Sequence, residues 1–361
     1  MARSLPLARD SRTDSRSCPC PDSREWQVPF PLDVRLTLSV HGRGSNDPTF
    51  RVDEAGAVWR TSLTPDGPAT IRVLPRAPVG PAPAGSASAG TVAARAWGPG
   101  AEWLLDALPA SLGFHDDISG FDPGAYPVLR EAVRRHPGLR VGRSGRLMEA
   151  LVPAILEQKV VSIEAHRAWK ILLAKYGAPA PGPAPRGMRV FPSPKTWRAI
   201  PSWDWHRAGV EGIRAQTIIR AATVAGRLES LLSGPGGNGP GGNGPGGGPG
   251  GDGAGGGETG DAEEAARKLR TIPGIGPWTA AETLQRAAGD PDAVSVGDYN
   301  LPNAVGWALA GRQDTDDAQM LELLAPYKGH RYRVTRLIEL GGGPRRPRRG
   351  PRMAVRDYRA F

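Results

Sequence analysis

Cysteine is nearly missing from this chain. Of 361 residues only Cys18 and Cys20 are cysteines, and both lie in a polar stretch with no apolar core. Neither a disulfide framework nor a secretory leader is expected, and the expected compartment is a reducing cytoplasm. Long apolar runs are missing too: no stretch of about 18 apolar residues occurs, which rules out a spanning helix, and no membrane partner is expected. The glycine-rich stretch has neither the Gly-Lys-Ser/Thr ending of a phosphate-binding loop nor a glycine at every third position, so it is not a collagen segment either. Acidic residues are outnumbered, 36 against 46 Lys and Arg, for a formal charge of +10. That points to a polyanionic partner; the plainer source is a basic compositional bias, since net charge speaks to association and not to fold. With 39% hydrophobic residues the chain can build cores for two domains.

The expected fold is α+β: a small N-terminal antiparallel sheet domain followed by a mainly helical core. Residues 1–24 read as a disordered polar leader. From 25 to 97 the chain reads as an α+β domain, with short alternating strand patterns at 34–40, 49–52, 57–63 and 69–74. It ends in a Pro/Ala/Gly linker near 76–90. Residues 98–340 follow as an all-helical core. There Leu147, Leu151 and Ile155 share a face, and a helix from about Ser162 carries Trp169, Leu172 and Leu173 until Gly177 stops it. A flexible glycine-rich insertion at 233–260 interrupts this core; loop closure grows only logarithmically, so such a length is tolerated. Residues 341–361 form a basic tail.

The most informative segment is Leu269-Arg-Thr-Ile-Pro-Gly-Ile-Gly-Pro-Trp-Thr-Ala280. A first helix, capped by Asp261 with Glu264 three residues on, is broken at Pro273-Gly274. Gly274 and Gly276 permit positive φ and bare backbone, and Pro277 opens a second helix running through Gln285. The resulting hairpin presents amides and a helix N-terminus to an anion, and for so basic a chain a phosphate is the natural one. Downstream, Asp298 follows an apolar stretch at 293–296 and precedes a helix opening at Leu301-Pro302. It is a candidate catalytic carboxylate and, equally, a candidate N-cap.

This segment, together with Val296-Gly-Asp-Tyr299, Ala154-Ile-Leu-Glu-Gln-Lys-Val160, Phe191-Pro-Ser-Pro194 and Ala208-Gly-Val210, resembles the helix-hairpin-helix DNA glycosylases. Within them the chain is similar to the branch that excises alkylated bases, the 3-methyladenine DNA glycosylase II type. The resemblance implies a nucleoid-associated monomer acting on double-stranded DNA with damaged bases. The hairpin (Gly274, Ile275, Gly276, Thr279) would grip the DNA backbone. A Na+ or K+ ion on the carbonyls of Arg270, Ile272 and Ile275 would assist it, with no required cofactor. Asp298 would be the catalytic residue, stabilising the positive charge that develops on the sugar. Gln158 and Lys159 occupy the family's intercalating position, and Gln158, Lys159 or Val160 would be the wedge that enters the minor groove as the base is flipped out. Lys328 and Arg331, with His330 and Arg333, would form a basic turn near the backbone. Trp278, Tyr327 and Glu282 would line the base pocket; the aromatics could instead be core, and Glu282 either accepts hydrogen bonds from a base or is solvated. Members that also cut the strand carry a lysine where this chain has Trp278, so no lyase activity is expected. The family's iron–sulfur members need four C-terminal cysteines, and none follows Cys20, so no cluster is expected. Two other readings stay open: a glycosylase for deaminated bases such as hypoxanthine, and a lesion-binding module without catalysis.

Overall fold

The computed structural model describes residues 22–76, 90–124, 126–232 and 257–341, the last with side chains from Ala262 onward. Cys18, Cys20, the greater part of the expected linker and insertion, and the basic tail beyond 341 lie outside these residues. The sheet half comprises β1 (Asp22–Gln27), α1 (Val34–Leu38), β2 (Phe50–Val52), β3 (Val58–Thr64), β4 (Gly67–Arg76), β5 (Thr91–Trp97) and α2 (Ala101–Ser111). Its five strands are antiparallel in the order β1-β5-β4-β3-β2. Helix α2 lies across β4 and β5, and Leu104, Leu105, Leu108 and Leu112 close one core with Ile71, Val73, Val92 and Ala94. This core therefore runs past residue 97, where the sequence placed the end of the domain.

Several local expectations are corrected. Residues 34–40 are not a strand. Asp33 accepts the Leu36 N–H at 2.9 Å and nucleates α1, which passes into a 3₁₀ turn at Ser39–His41; a local cap outweighs a short alternating pattern. Strand β1 begins at Asp22, inside the expected leader, and has a mostly exposed, polar sequence. Strand β5 is alanine-rich and gives little strand signal. Pairing with β4, not propensity, makes β5 a strand.

The helical half contains α3 (Pro127–Arg135), α4 (Leu147–Leu156), α5 (Ser162–Tyr176), β6 (Ala178–Pro179), β7 (Arg189–Val190), α6 (Pro194–Ala199), α7 (Ser202–Ala208), α8 (Gly212–Thr223) and α9 (Ala225–Glu229). After the insertion come α10 (Gly257–Arg270), α11 (Pro277–Ala287), α12 (Leu301–Ala310), α13 (Asp317–Leu324) and α14 (Arg331–Leu340). The β6–β7 pair is a small exception to the all-helical expectation. Helix α10 starts at Gly257, so Asp261 stands within it and does not cap it.

Helix α4 is the central rod, packed by α5, α8, α9 and α11. Every residue but Glu149 is buried, and each large aliphatic side chain withdrawn there contributes about 1.5–3 kcal/mol. Glu149 accepts from Ser62 Oγ at 2.8 Å and the Leu63 amide at 2.7 Å and pairs with Arg60 at 3.6 Å, joining α4 to the sheet. A second helical core gathers Leu129, Val305, Met320, Leu324 and Val334 from α3 and α12 to α14. Among the described residues no helix is long and apolar enough to cross a membrane.

Candidate nucleic-acid interface and active site

Helices α10 and α11 meet in a tight turn. The Ile272 N–H donates to Leu269 O at 3.1 Å and the Ile275 N–H to Ile272 O at 3.0 Å, while both isoleucine side chains are buried. The two glycines differ in role. Gly274 has φ +99°, and a Cβ there would meet Thr217 Oγ1 at 2.1 Å. Gly276, expected to use positive φ, is extended instead (φ −97°, ψ −177°), with open space where its Cβ would be. So Gly274 serves the turn, and Gly276 leaves the outer approach bare. Pro277 occupies the first turn of α11, whose leading amides lack helical acceptors and carry the positive end of the helix dipole. Ile275 spends its amide inside the hairpin, so Gly276 and the first turn of α11 are what an anion would meet.

Asp298 sits behind this hairpin. Its Oδ1 accepts the amides of Asn300 at 2.7 Å and Leu301 at 2.8 Å, and its Oδ2 accepts Trp278 Nε1–H at 3.0 Å. Asp298 is not the N-cap of α12, which is Asn300; one of its oxygens holds the amides at the start of that helix, and the other faces the first turn of α11. Gly297, at φ +90°, makes the preceding bend, and its amide donates to both carboxylate oxygens of Asp317 at 3.1 Å. Asp298 is half-buried and its neighbour Tyr299 is 65% exposed, so the carboxylate is held on three donors without being sealed from an incoming ligand. A preoriented anion of this kind is suited to stabilising developing positive charge.

The segment after α4 approaches the same hairpin. Gln158 Nε2 donates to Gly274 O at 2.9 Å and to Thr279 Oγ1 at 2.8 Å. Gln158 therefore ties the segment to the hairpin, and the buried Thr279 hydroxyl is its internal partner. Lys159 is exposed at the tip with φ +54°, a left-handed conformation costing a non-glycine residue roughly 1–2 kcal/mol. Backbone in such a state persists only where the surroundings impose it.

Other expected site residues are used elsewhere. Tyr327 is core: it packs against Phe121 and Tyr126, and its hydroxyl donates to Pro123 O at 3.3 Å. Glu282 has both oxygens engaged, Oε1 by Ser295 Oγ at 2.5 Å and Oε2 by Arg286 Nη1 at 2.7 Å, so it is neither a free base acceptor nor a solvated residue. Arg331 makes a forked pair with Asp292, Nε to Oδ1 at 2.9 Å and Nη2 to Oδ2 at 2.5 Å. Burial would raise the Asp292 carboxyl, but Arg331 before it and the surrounding amides hold it below its ordinary value. Arg333 is 3% exposed and paired with Asp116. Of the basic turn, Lys328 is left exposed. Trp278 alone of the expected pocket residues stands at the carboxylate.

Residues that the sequence did not single out surround the segment's base. Glu157, which caps the end of α4, faces Arg43 of the sheet half at 3.4 Å and His166 of α5 at 3.8 Å. Burial would raise its pKa, yet Arg43 and the neighbouring cations outweigh that and hold it at about 2. Burial in turn pulls the Arg43 guanidinium below its ordinary value while Glu157 draws it back up. Glu157 lies inside the quoted motif; Arg43 carries no local signal, because its partner is distant in sequence.

Comparison with known proteins puts this geometry in context. No family model matches the chain. A curated relative in Mycobacterium tuberculosis, described as a probable bifunctional transcriptional activator/DNA repair enzyme AlkA, is 30% identical over 178 residues. The match covers 49% of this chain and 30% of the relative, so the chain spans under a third of that protein's length. Among solved structures, the 3-methyladenine DNA glycosylase from Archaeoglobus fulgidus superposes with a TM-score of 0.62 at 16% identity, covering 88% of this chain and 98% of that one. The 8-oxoguanine glycosylase/lyase of Clostridium acetobutylicum gives a TM-score of 0.61 at 12% identity (89% and 96% covered), and its complex with double-stranded DNA gives 0.59. At such identities these likenesses establish the fold.

Proposed function

From a chain that has the helix-hairpin-helix DNA glycosylase fold and an AlkA-like sequence, we propose a monofunctional DNA glycosylase that hydrolyses the N-glycosidic bond of alkylated purines in base excision repair. The observation that carries it is the Asp298 carboxylate, held by Trp278 and two backbone amides behind the hairpin. DNA backbone meets Gly276 and the leading amides of α11, and a base is turned out of the stack towards Asp298 and Trp278. As the C1′–N bond breaks, its electron pair leaves with the base and positive charge develops on the sugar, which Asp298 stabilises. Water adds to C1′ and gives its proton to the carboxylate. A purine made cationic by alkylation departs neutral, so no general acid is required. The indole of Trp278 offers the base an electron-rich face and has no amine for a Schiff base, which supports hydrolysis without strand cleavage.

The carbonyls of Arg270, Ile272 and Ile275 are hard, neutral oxygens at the hairpin, suited to Na+ or K+. The Ile272 carbonyl, which accepts one N–H, retains a second lone pair. Such an ion would add positive charge where a phosphate approaches. The hypoxanthine reading needed Glu282 to reach a base, and with both its oxygens engaged it loses that support.

The test is single-turnover base release from duplexes carrying 3-methyladenine, 7-methylguanine or hypoxanthine, followed by strand analysis with and without alkali. Release of an alkylated purine is expected, with strands breaking only after alkali. Strand cleavage without alkali would refute the monofunctional assignment, and tight binding without release from any duplex would place the protein among lesion-binding modules. Trp278→Phe keeps the aromatic face but removes the donor to Asp298. Since a hydrogen bond to a charged group is worth about 1.5–3 kcal/mol, kcat should fall roughly ten- to hundredfold with little change in KM. A rate within threefold of wild type would mean the indole does not orient the carboxylate.

A further inference from the structure

We propose that the sheet half acts in catalysis as a brace for the base-flipping segment, with Arg43 as its positioning residue; the inference rests on the glycosylase reading above. The segment at 157–161 connects α4 to α5, and one loop of the sheet half contacts both its first residue, Glu157, and the body of α5. At the α4 end, Arg43 Nε faces Glu157 Oε1 at 3.4 Å, directly before Gln158 and Lys159. In the middle of α5, Asp47, fully buried, accepts Trp169 Nε1–H at 3.0 Å. The loop also lies flat on α5, where a Cβ at Gly44 would stand 2.7 Å from His166 Nδ1. Asp47 further accepts the Arg43 amide at 2.5 Å, and Arg43 Nη1 donates to Val40 O at 2.9 Å, so the two anchors are parts of one ordered turn. Helix α11 of the hairpin joins the same turn through Arg286 Nε, which donates to Val40 O at 3.0 Å.

These contacts have a common consequence at Lys159. Its left-handed backbone is preceded by Gln158, hydrogen-bonded to the hairpin, and by Glu157, ion-paired with the sheet half. The tip is thus presented already bent, and the ordering of the segment precedes DNA binding instead of being imposed by it. Arg43 touches neither the sugar nor the base. Its effect is on the step that opens the stack, which is hardest for a well-paired base and least demanding for one that is already unstacked.

The discriminating experiment compares two substrates in single-turnover base release: an alkylated purine in a fully paired duplex, and the same lesion opposite an abasic site. Arg43→Met alone would strand the buried Glu157 charge, so the main variant is Arg43→Met with Glu157→Gln, and Arg43→Lys is a second that keeps the charge but shortens the reach. On the paired duplex the double variant should lose on the order of 10²-fold, with Arg43→Lys losing less. On the unpaired lesion, which is cheaper to extrude, both should stay within threefold of wild type. Equal losses on the two substrates, or no loss on the paired one, would overturn the brace. A wild type that releases no base from either duplex would overturn the glycosylase reading and this inference with it.

Discussion

Asp298→Asn is expected to lower single-turnover base release by roughly 10²–10³-fold, the usual scale for removing one preorganised stabilising group. The substitution separates the two duties of this side chain. An asparagine oxygen can still accept the amides of Asn300 and Leu301 that Oδ1 now holds. What it cannot do is oppose positive charge on the sugar. Its amide group would also face the Trp278 Nε1–H, donor against donor, where Oδ2 now accepts at 3.0 Å. That mismatch costs about 1–3 kcal/mol, so melting should fall modestly while activity nearly vanishes. Asp298→Ala has no amide to oppose the indole but loses the acceptor for the Asn300 and Leu301 amides, which should cost about 1 kcal/mol of stability. Thermal melting and base release measured on the same preparations check both statements. A rate for the Asn variant within threefold of wild type would remove Asp298 from the chemistry.

The second large effect divides the two hairpin glycines. Gly274→Ala should destabilise the fold, because φ +99° is strained for any side chain and the new methyl would overlap Thr217 Oγ1 at 2.1 Å. Left-handed strain and overpacking together amount to roughly 2–4 kcal/mol, enough to lower the melting temperature visibly. Gly276→Ala should melt like wild type, since its backbone is extended and the space beyond it is open. Its methyl would instead stand where phosphate oxygen must approach the leading amides of α11, and affinity for duplex DNA should fall about tenfold or more, the loss of one charge-assisted hydrogen bond. The pair is read by melting and by DNA titration at one stated salt concentration, because phosphate contacts are salt-dependent. If Gly276→Ala binds DNA as wild type does, the hairpin is not the phosphate-binding element.

Much of this architecture was legible without coordinates, and the failures have local causes. Helices α4 and α5 followed from the spacing of Leu147, Leu151 and Ile155 and of Trp169, Leu172 and Leu173, since a wide apolar stripe can bury itself only as a helix face. The turn at Pro273-Gly274 and the start of α11 at Pro277 followed from prolines, whose φ is fixed, and from a glycine, which accepts the positive φ that other residues avoid. Residues 34–40 misled because Asp33 caps a helix through a contact that alternation does not encode. Strands β1 and β5 were missed because each owes its state to a neighbouring strand.

The same division runs through the site. Chain order and residue type were sufficient to place a glycine hairpin ahead of a lone aspartate, with Trp278 two residues after the second hairpin glycine. Those are properties of short segments, in which spacing and backbone preference act over a few residues. Which polar groups are spent on one another was decided only by packing. Glu282 meets Arg286 and Ser295, Arg331 meets Asp292, Arg333 meets Asp116, and Arg43 meets Glu157. A charge withdrawn from water must find a partner, and which partner it finds depends on the surfaces that the tertiary fold brings together.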